Sequence, residues 1–158
     1  MPSAQRTITD LCGTWAFTPE GGAPGTIPVP AQWTHGASLG LPEAWRDLRR
    51  AVYARDLILP AYRPGRLLRL RFGAVMLLAQ VRLAGLELGQ HRGGFTPFTV
   101  VVPDSLWQRQ GSGSVRLEVA VESGLAAMEG GRCLHQIGYP DDGEEGPIPG
   151  GIWQPVTL

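Results

Sequence analysis

Apolar and polar positions alternate along most of this chain, and the alternation predicts β-strands. The clearest case is the stretch SVRLEVAVES at 114–123, where every second residue is apolar and the residues between are mostly charged. The stretches RLLRLRFGAV at 66–75 and YARDLILP at 53–60 repeat the pattern. Such alternation is typical of antiparallel sheets with one buried face and one solvated face.

Three further features complete the predicted elements. The stretch 80–91 predicts a hairpin that turns at Gly85, since glycine adopts positive φ without steric cost, and 95–103 predicts another strand. Only 41–52 has apolar residues at helical spacing, behind Pro42, and we expect a short helix there. Residues 18–40 and 129–151 are expected to be long loops, which are often functional. The sequence therefore predicts an all-β sandwich of two facing antiparallel sheets with about eight or more strands.

Length and composition fit one domain spanning 1–158. The chain is 43% apolar with 22 Gly and 14 Pro, which suits many short strands joined by turns. Its 14 basic residues balance 14 acidic ones, so nothing indicates a nucleic-acid partner. No apolar run approaches the ~20 residues of a membrane span, and the first residues lack a hydrophobic signal core. We expect a cytoplasmic protein that needs no cofactor or membrane.

Two cysteines, Cys12 and Cys133, are too few for a disulfide framework and lack the spacing of a metal site. We expect two reduced thiols in or near the core and no bound metal. Their separation in space does not follow from the sequence.

An ordered series of segments carries a family resemblance. The series runs LCGTWAF at 11–17, VPAQW at 29–33, VYARDLILP at 52–60, the long stretch 68–98, VRLEVAV at 115–121 and GGIWQPVTL at 150–158. It resembles the N-terminal sugar-binding domain of glycoside hydrolase family 2, the family of β-galactosidases, β-glucuronidases and β-mannosidases.

The resemblance implies a jelly-roll sandwich of the galactose-binding type, followed in the family by an immunoglobulin-like sandwich and a catalytic barrel. On this basis we expect a domain cut from a longer enzyme, because GGIWQPVTL resembles the last strand before the family's second domain. Family members usually have Asn-Gly where this chain has Ala84-Gly85. They also tend to have Asp where this chain has Met76 and Val101, which puts contacts made by those carboxylates in doubt.

The resemblance also bears on catalysis and sugar contact. Retaining hydrolysis needs two carboxyl groups about 5 Å apart, and in the family both belong to the barrel, so no catalytic residue is expected in this chain. The pair Glu144-Glu145 is expected to be a solvated acidic loop, with ligand contact as the alternative. In family enzymes the loop before the final strand can lend a carboxylate to sugar hydroxyls, which makes Asp141 and Asp142 candidates; a solvated turn or a calcium site are the competing interpretations.

Among the aromatic residues, Trp45 is the third candidate for sugar contact, because it lies in a variable segment that approaches the active-site side in the family. Trp15 lies in an alternating strand and is expected to be buried there. The resemblance implies that Trp33 and Trp153 pack loops on the sandwich and that His91 is partly buried and structural.

Two functions of different classes stay open. One is a non-catalytic family 2 domain that packs on the barrel and shapes the sugar subsite, with the parent enzyme's glycoside undetermined. The alternative is an independent carbohydrate- or protein-binding module, which a natural stop codon after Leu158 would favour. In either case we expect the isolated chain to self-associate through uncovered apolar surface and an unpaired edge on its last strand.

Overall fold

The computed structural model of the chain describes residues 6–111, 113–129 and 149–158. Strands dominate the described residues and run β1 Gly13–Pro19, β2 Gly25–Val29, β3 Arg50–Ile58, β4 Leu68–Phe72, β5 Val75–Met76, β6 Leu78–Leu83, β7 Leu86–Arg92, β8 Phe98–Val102, β9 Ser114–Glu122, β10 Gly151–Ile152 and β11 Val156–Thr157. The helices are α1 Asp104–Gln110, α2 Gly124–Glu129 and two 3-10 segments, Trp33–Leu39 and Glu43–Trp45. No helix within the described ranges is long and apolar enough to cross a membrane.

All strand pairs are antiparallel. One sheet has six strands in the order β2-β1-β3-β9-β6-β7, a second has three in the order β11-β4-β8, and β10 pairs with β5. The inward side chains of the two larger sheets form one hydrophobic core that includes Phe17, Tyr53, Leu70, Phe72, Leu117 and Val119. The predicted all-β antiparallel sandwich is therefore confirmed.

The centre of the larger sheet follows the alternation read from the sequence. β3 and β9 pair over nine residues from Arg50↔Glu122 to Ile58↔Ser114. Their inward residues Tyr53, Leu57 and Leu117 are buried, whereas Ile58 on the opposite face is 76% exposed. Period-2 patterning thus assigned the faces of these strands correctly.

The predicted hairpin joins β6 to β7 through a two-residue turn at Ala84 and Gly85. Both residues have positive φ, 49° and 79°, as a type I′ turn requires. Glycine was expected to supply this conformation, and Ala84 shares it although alanine has a Cβ.

Two sequence predictions were wrong, and one helix was not predicted. The helix expected over 41–52 is only the 3-10 turn Glu43–Trp45, because β3 begins at Arg50 and its pairing with β9 takes the rest of the segment. The loop expected over 18–40 contains β2 and the 3-10 segment Trp33–Leu39. The strand over 95–103 is followed by α1, which was not predicted, and which buries Leu106 and Trp107 on one side.

The last strand, β11, has no unpaired edge. One side pairs with β4, and the other bonds to residues 9–12, which we call the strap: Thr9 N donates to Leu158 O at 2.8 Å and Leu11 N to Val156 O at 2.9 Å. The expectation of an open edge here was wrong, because the strap joins the end of the smaller sheet to the start of β1.

Arg55 holds the strap against the larger sheet. Its Nη1 donates to the carbonyl oxygens of Leu11 and of Cys12, the latter at 3.0 Å, and its guanidinium lies 6.0 Å from the ring centroid of Trp15. Trp15 Nε1 also donates to Leu11 O, at 2.8 Å. At this corner of the sandwich, the Arg55 guanidinium thus provides hydrogen-bond donors for the carbonyls of Leu11 and Cys12 in place of a paired strand.

Replacing Ala84 by Asn should stabilise the protein. Asn tolerates positive φ better than Ala, and Asn-Gly is favoured in type I′ turns, so Ala84→Asn should raise the free energy of unfolding by about 0.5–1 kcal/mol in urea denaturation. The control Ala84→Val should lower it, since a β-branched residue resists this conformation. Equal stability of all three proteins would contradict the strained turn.

Removing the Arg55 guanidinium should destabilise the corner. Arg55→Met keeps the apolar stem but removes the side-chain donor to Cys12 O and leaves Leu11 O with Trp15 Nε1 alone, and we expect a loss of about 1.5–3 kcal/mol in thermal or urea unfolding. The matched control is Arg116→Met, since Arg116 only bonds Asp56 at the surface and should change stability by less than about 1 kcal/mol. Similar losses in both variants would show that Arg55 has no special role.

Candidate functional site

The sequence-predicted site residues fall in two different places. Asp141 and Asp142 lie outside the described residues, as do Glu144, Glu145 and Cys133. The structure therefore locates the two ends of the segment that carries them. The third candidate, Trp45, is described and lies in the core.

Trp45 is 7% exposed and its ring centroid is 4.4 Å from that of Phe17. A Cβ placed on Gly25 would lie 3.2 Å from the Trp45 ring, so the backbone of β2 packs directly on it. This burial favours a packing role, and sugar contact by Trp45 stays a prediction.

The described residues that flank positions 130–148 are joined by backbone hydrogen bonds to each other and to the sandwich. Gly124 N donates to Pro149 O at 3.1 Å, Trp33 N to Gly150 O at 3.0 Å and Ala31 N to Ile152 O at 2.8 Å. These backbone bonds tie the start of α2 to the residues that precede β10. Gly124 and Pro149, which flank the candidate segment, are thus bonded to each other, and Gly150 is bonded to the 3-10 segment that begins at Trp33.

Two side chains near these backbone bonds donate to one carbonyl oxygen, that of Leu48. Trp33 Nε1 and Ser123 Oγ both donate to Leu48 O, at 3.3 and 3.1 Å. Both side chains are buried, at 1% and 0% exposure. We call Trp33, Leu48, Tyr53, Ser123, Gly150 and Gly151 the loop base.

Only glycine fits at two positions of the loop base. A Cβ on Gly150 would lie 2.6 Å from the Trp33 ring and 2.8 Å from Ser123 Cβ. Gly151 has φ 132°, and a Cβ there would lie 2.7 Å from Ala31 O. The backbone at Gly150 therefore packs on the Trp33 ring, and the backbone at Gly151 packs on that of Ala31. A side chain at either glycine would displace this backbone.

Tyr53, on β3, is the last member of the loop base. Its hydroxyl oxygen accepts from Ile152 N at 3.4 Å, and burial raises the pKa of the phenol well above its ordinary value. Tyr53 stays neutral across the physiological range, which indicates a structural group rather than an acid or base.

A second ordered loop, 93–97, lies beside the loop base. Gly93 N bonds to Leu77 O at 3.0 Å, and Trp153 Nε1 donates to Gly94 O at 2.8 Å. The Trp153 and Phe95 rings also pack edge to face, with their centroids 5.8 Å apart, and Phe95 is 50% exposed. Trp153 thus packs a loop on the sandwich, as expected from the sequence.

His91 is part of an aromatic stack under the same loop. Its ring lies 4.4 Å from that of Phe98, nearly parallel, and Phe98 stacks on Phe72 at 4.8 Å. Its Nε2 is 3.2 Å from Thr96 Oγ1. His91 is thus partly buried, as expected, and its contacts favour the structural role predicted for it.

The described side chains at this end bind backbone and each other. In the described part of the chain, no group of three or more His, Cys, Asp or Glu residues could hold a metal ion. What the geometry provides is a set of buried side chains and backbone hydrogen bonds around Gly124, Pro149 and Gly150, on the two sides of residues 130–148. The sequence indicated this segment by its length, but only the consecutive glycines at 150–151 hinted at the tight packing beneath it.

The fold and the loop base define a β-sandwich domain that resembles the N-terminal domain of glycoside hydrolase family 2, and comparisons with known proteins confirm this resemblance. No family model matches the chain. The β-glucuronidase of Streptococcus agalactiae is 29% identical over 115 residues, covering 66% of this chain and 18% of that protein.

Solved structures agree with this similarity. The β-D-glucuronidase of Dictyoglomus thermophilum matches 77% of this chain with a TM-score of 0.65 and 27% identity. The family 2 β-galacturonidase of Eisenbergiella tayi matches 96% with a TM-score of 0.66 and 25% identity. This chain covers 20% and 24% of those two chains, so it spans about a fifth to a quarter of the length of its relatives.

The tight packing at Gly150 yields a stability prediction. Its φ is not in the left-handed region, so the cost of Gly150→Ala is steric, and we expect a loss of about 2–3 kcal/mol in urea unfolding. Trp33→Leu alone should also destabilise the protein, because it leaves a cavity.

The double variant Gly150→Ala with Trp33→Leu provides the control. If the methyl group collides with the indole, the two losses should be less than additive by about 1 kcal/mol or more. Strict additivity would contradict direct packing of Gly150 on Trp33.

Proposed function

We propose that this chain is the non-catalytic sugar-binding domain of a family 2 glycoside hydrolase. In this proposal it is a jelly-roll sandwich of the galactose-binding type within a cytoplasmic enzyme that hydrolyses O-glycosyl bonds. The main support is that the chain matches a fifth to a quarter of the length of relatives whose names are those of glycoside hydrolases.

The proposal assigns the domain's partners within the same enzyme. An immunoglobulin-like sandwich and a catalytic barrel would pack against it, and the catalytic carboxylates would belong to the barrel. The named relatives are β-glucuronidases and a β-galacturonidase, so we propose a β-uronide as the glycoside that the parent enzyme cleaves.

Within that enzyme, the segment above the loop base would shape the sugar subsite. Asp141 or Asp142 would accept a hydrogen bond from a substrate hydroxyl, a charge-assisted contact that is stronger than a neutral one. The bonds from Gly124 to Pro149 and from Trp33 to Gly150 support this role, because fixed ends reduce the conformational freedom that binding must remove.

The 158-residue chain alone should not hydrolyse aryl β-glucuronides or aryl β-galacturonides. Its binding of free glucuronate should be weak at best, because a single shell of hydroxyl contacts must offset its own ordering cost. Release of the chromophore above the buffer rate, measured with purified chain, would overturn the non-catalytic assignment.

In the natural full-length enzyme, Asp141→Ala or Asp142→Ala should lower kcat/KM on an aryl β-uronide roughly ten- to a hundredfold. This is the effect of losing a contact of ~1.5–3 kcal/mol. The melting temperature should not change, which separates substrate contact from folding. An unchanged kcat/KM in both variants would contradict substrate contact and would favour a solvated acidic loop.

The reading frame after Leu158 tests the domain assignment itself. Continuation into further domains is expected, whereas a natural stop codon there would favour an independent binding module.

A further inference from the structure

The outward face of the three-stranded sheet carries two neighbouring arginines. Arg69 and Arg71 are exposed, while the intervening positions of β4 point into the core. Residues two apart on an extended strand lie about 6.6 Å apart along it and share one face. The two guanidinium groups therefore form a short cationic row on the sheet surface.

The strands on either side present small or apolar groups to this row. Val101 of β8 lies opposite Arg69 and is 47% exposed, and Thr99 lies opposite Arg71. On the other side, Thr157 of β11 lies opposite Arg71. We call Arg69, Arg71, Thr99, Val101 and Thr157 the arginine face.

Three arginines on the strands of the larger sheet have carboxylate partners. Arg50 pairs with Glu20 and Glu122, Arg82 with Glu87, and Arg116 with Asp56. Among the described residues, no ion pair or hydrogen bond involves the side chain of Arg69 or Arg71.

One carboxylate lies at the margin of the arginine face. Asp10 is bridged to Thr157, so a strand separates it from Arg71. Its Oδ1 accepts from Cys12 N at 2.8 Å, and hydrogen bonds from Cys12 lower the pKa of this carboxyl. Asp10 is thus committed to the strap, and the face keeps its positive charge.

We propose that the arginine face binds an extended acidic segment of a protein partner, with carboxylates at alternate positions. Such a segment repeats every two residues at about 6.6 Å, which matches the spacing of Arg69 and Arg71. Each guanidinium can bind a carboxylate through two parallel hydrogen bonds, a geometry that lysine does not offer.

The rest of the face suits a protein rather than a saccharide. Val101 adds an exposed apolar side chain beside Arg69, and protein interfaces combine apolar with polar groups. The face has no aromatic ring on which a sugar could stack, because its other members are arginine and threonine. The proposal is independent of the enzyme assignment above.

The test uses two fluorescein-labelled peptides of one composition, Thr-Glu-Thr-Glu-Thr-Glu and Glu-Glu-Glu-Thr-Thr-Thr, titrated with the 158-residue chain in low salt. Fluorescence anisotropy should show tighter binding of the alternating peptide. Arg69→Gln with Arg71→Gln should weaken it about tenfold, and the double Arg→Lys variant should restore only part of this loss.

The matched control is Arg46→Gln with Arg109→Gln, which removes the same charge from exposed positions outside the face and should leave binding unchanged. Equal affinity for the two peptides, no binding of either, or equal losses in both double glutamine variants would overturn the proposal. So would binding of an oligogalacturonide that needs Arg69 and Arg71 when neither peptide binds, since the partner would then be a saccharide.

Discussion

The antiparallel pairing of β3 with β9 is the interaction on which the rest of this structure depends. Every second residue of β3 points inward, and three of these residues make different kinds of contact. Tyr53 supports the loop base, Arg55 holds the strap, and Leu57 fills the core. A shift of one residue in this register would turn all three toward solvent, so the buried face specifies the pairing strongly.

Much of the fold could be predicted from the sequence because burial of one sheet face leaves a period of two. The strands over 53–60, 66–75 and 114–123 were found in this way, and so was the hairpin at Gly85. The failures occurred where local preference and tertiary pairing disagree. The apolar residues around Trp45 do recur at helical spacing. However, a short helix is only marginally stable by itself, and from Arg50 onward the chain instead pairs with β9.

The strap shows a second kind of failure. Nothing in the pattern at residues 9–12 predicts that they bond to β11, because the bonds use backbone groups and an arginine far away in the chain. Backbone hydrogen bonding is required of buried segments whatever their side chains, so sequence patterns seldom reveal which partner satisfies it. The same limit applies to Leu48 O, which serves two donors of the loop base.

The candidate site was predictable only in outline. A long segment rich in glycine, proline and acidic residues indicated function, whereas the packing that fixes its ends depends on Trp33 and Ser123, which lie far from Gly150 in sequence. This packing bears on affinity. In the proposed role, bonds between residues that flank the segment would reduce the conformational entropy lost when the segment orders on a ligand. Trp33 and Ser123 would then affect sugar binding in the proposed enzyme without contacting the sugar themselves.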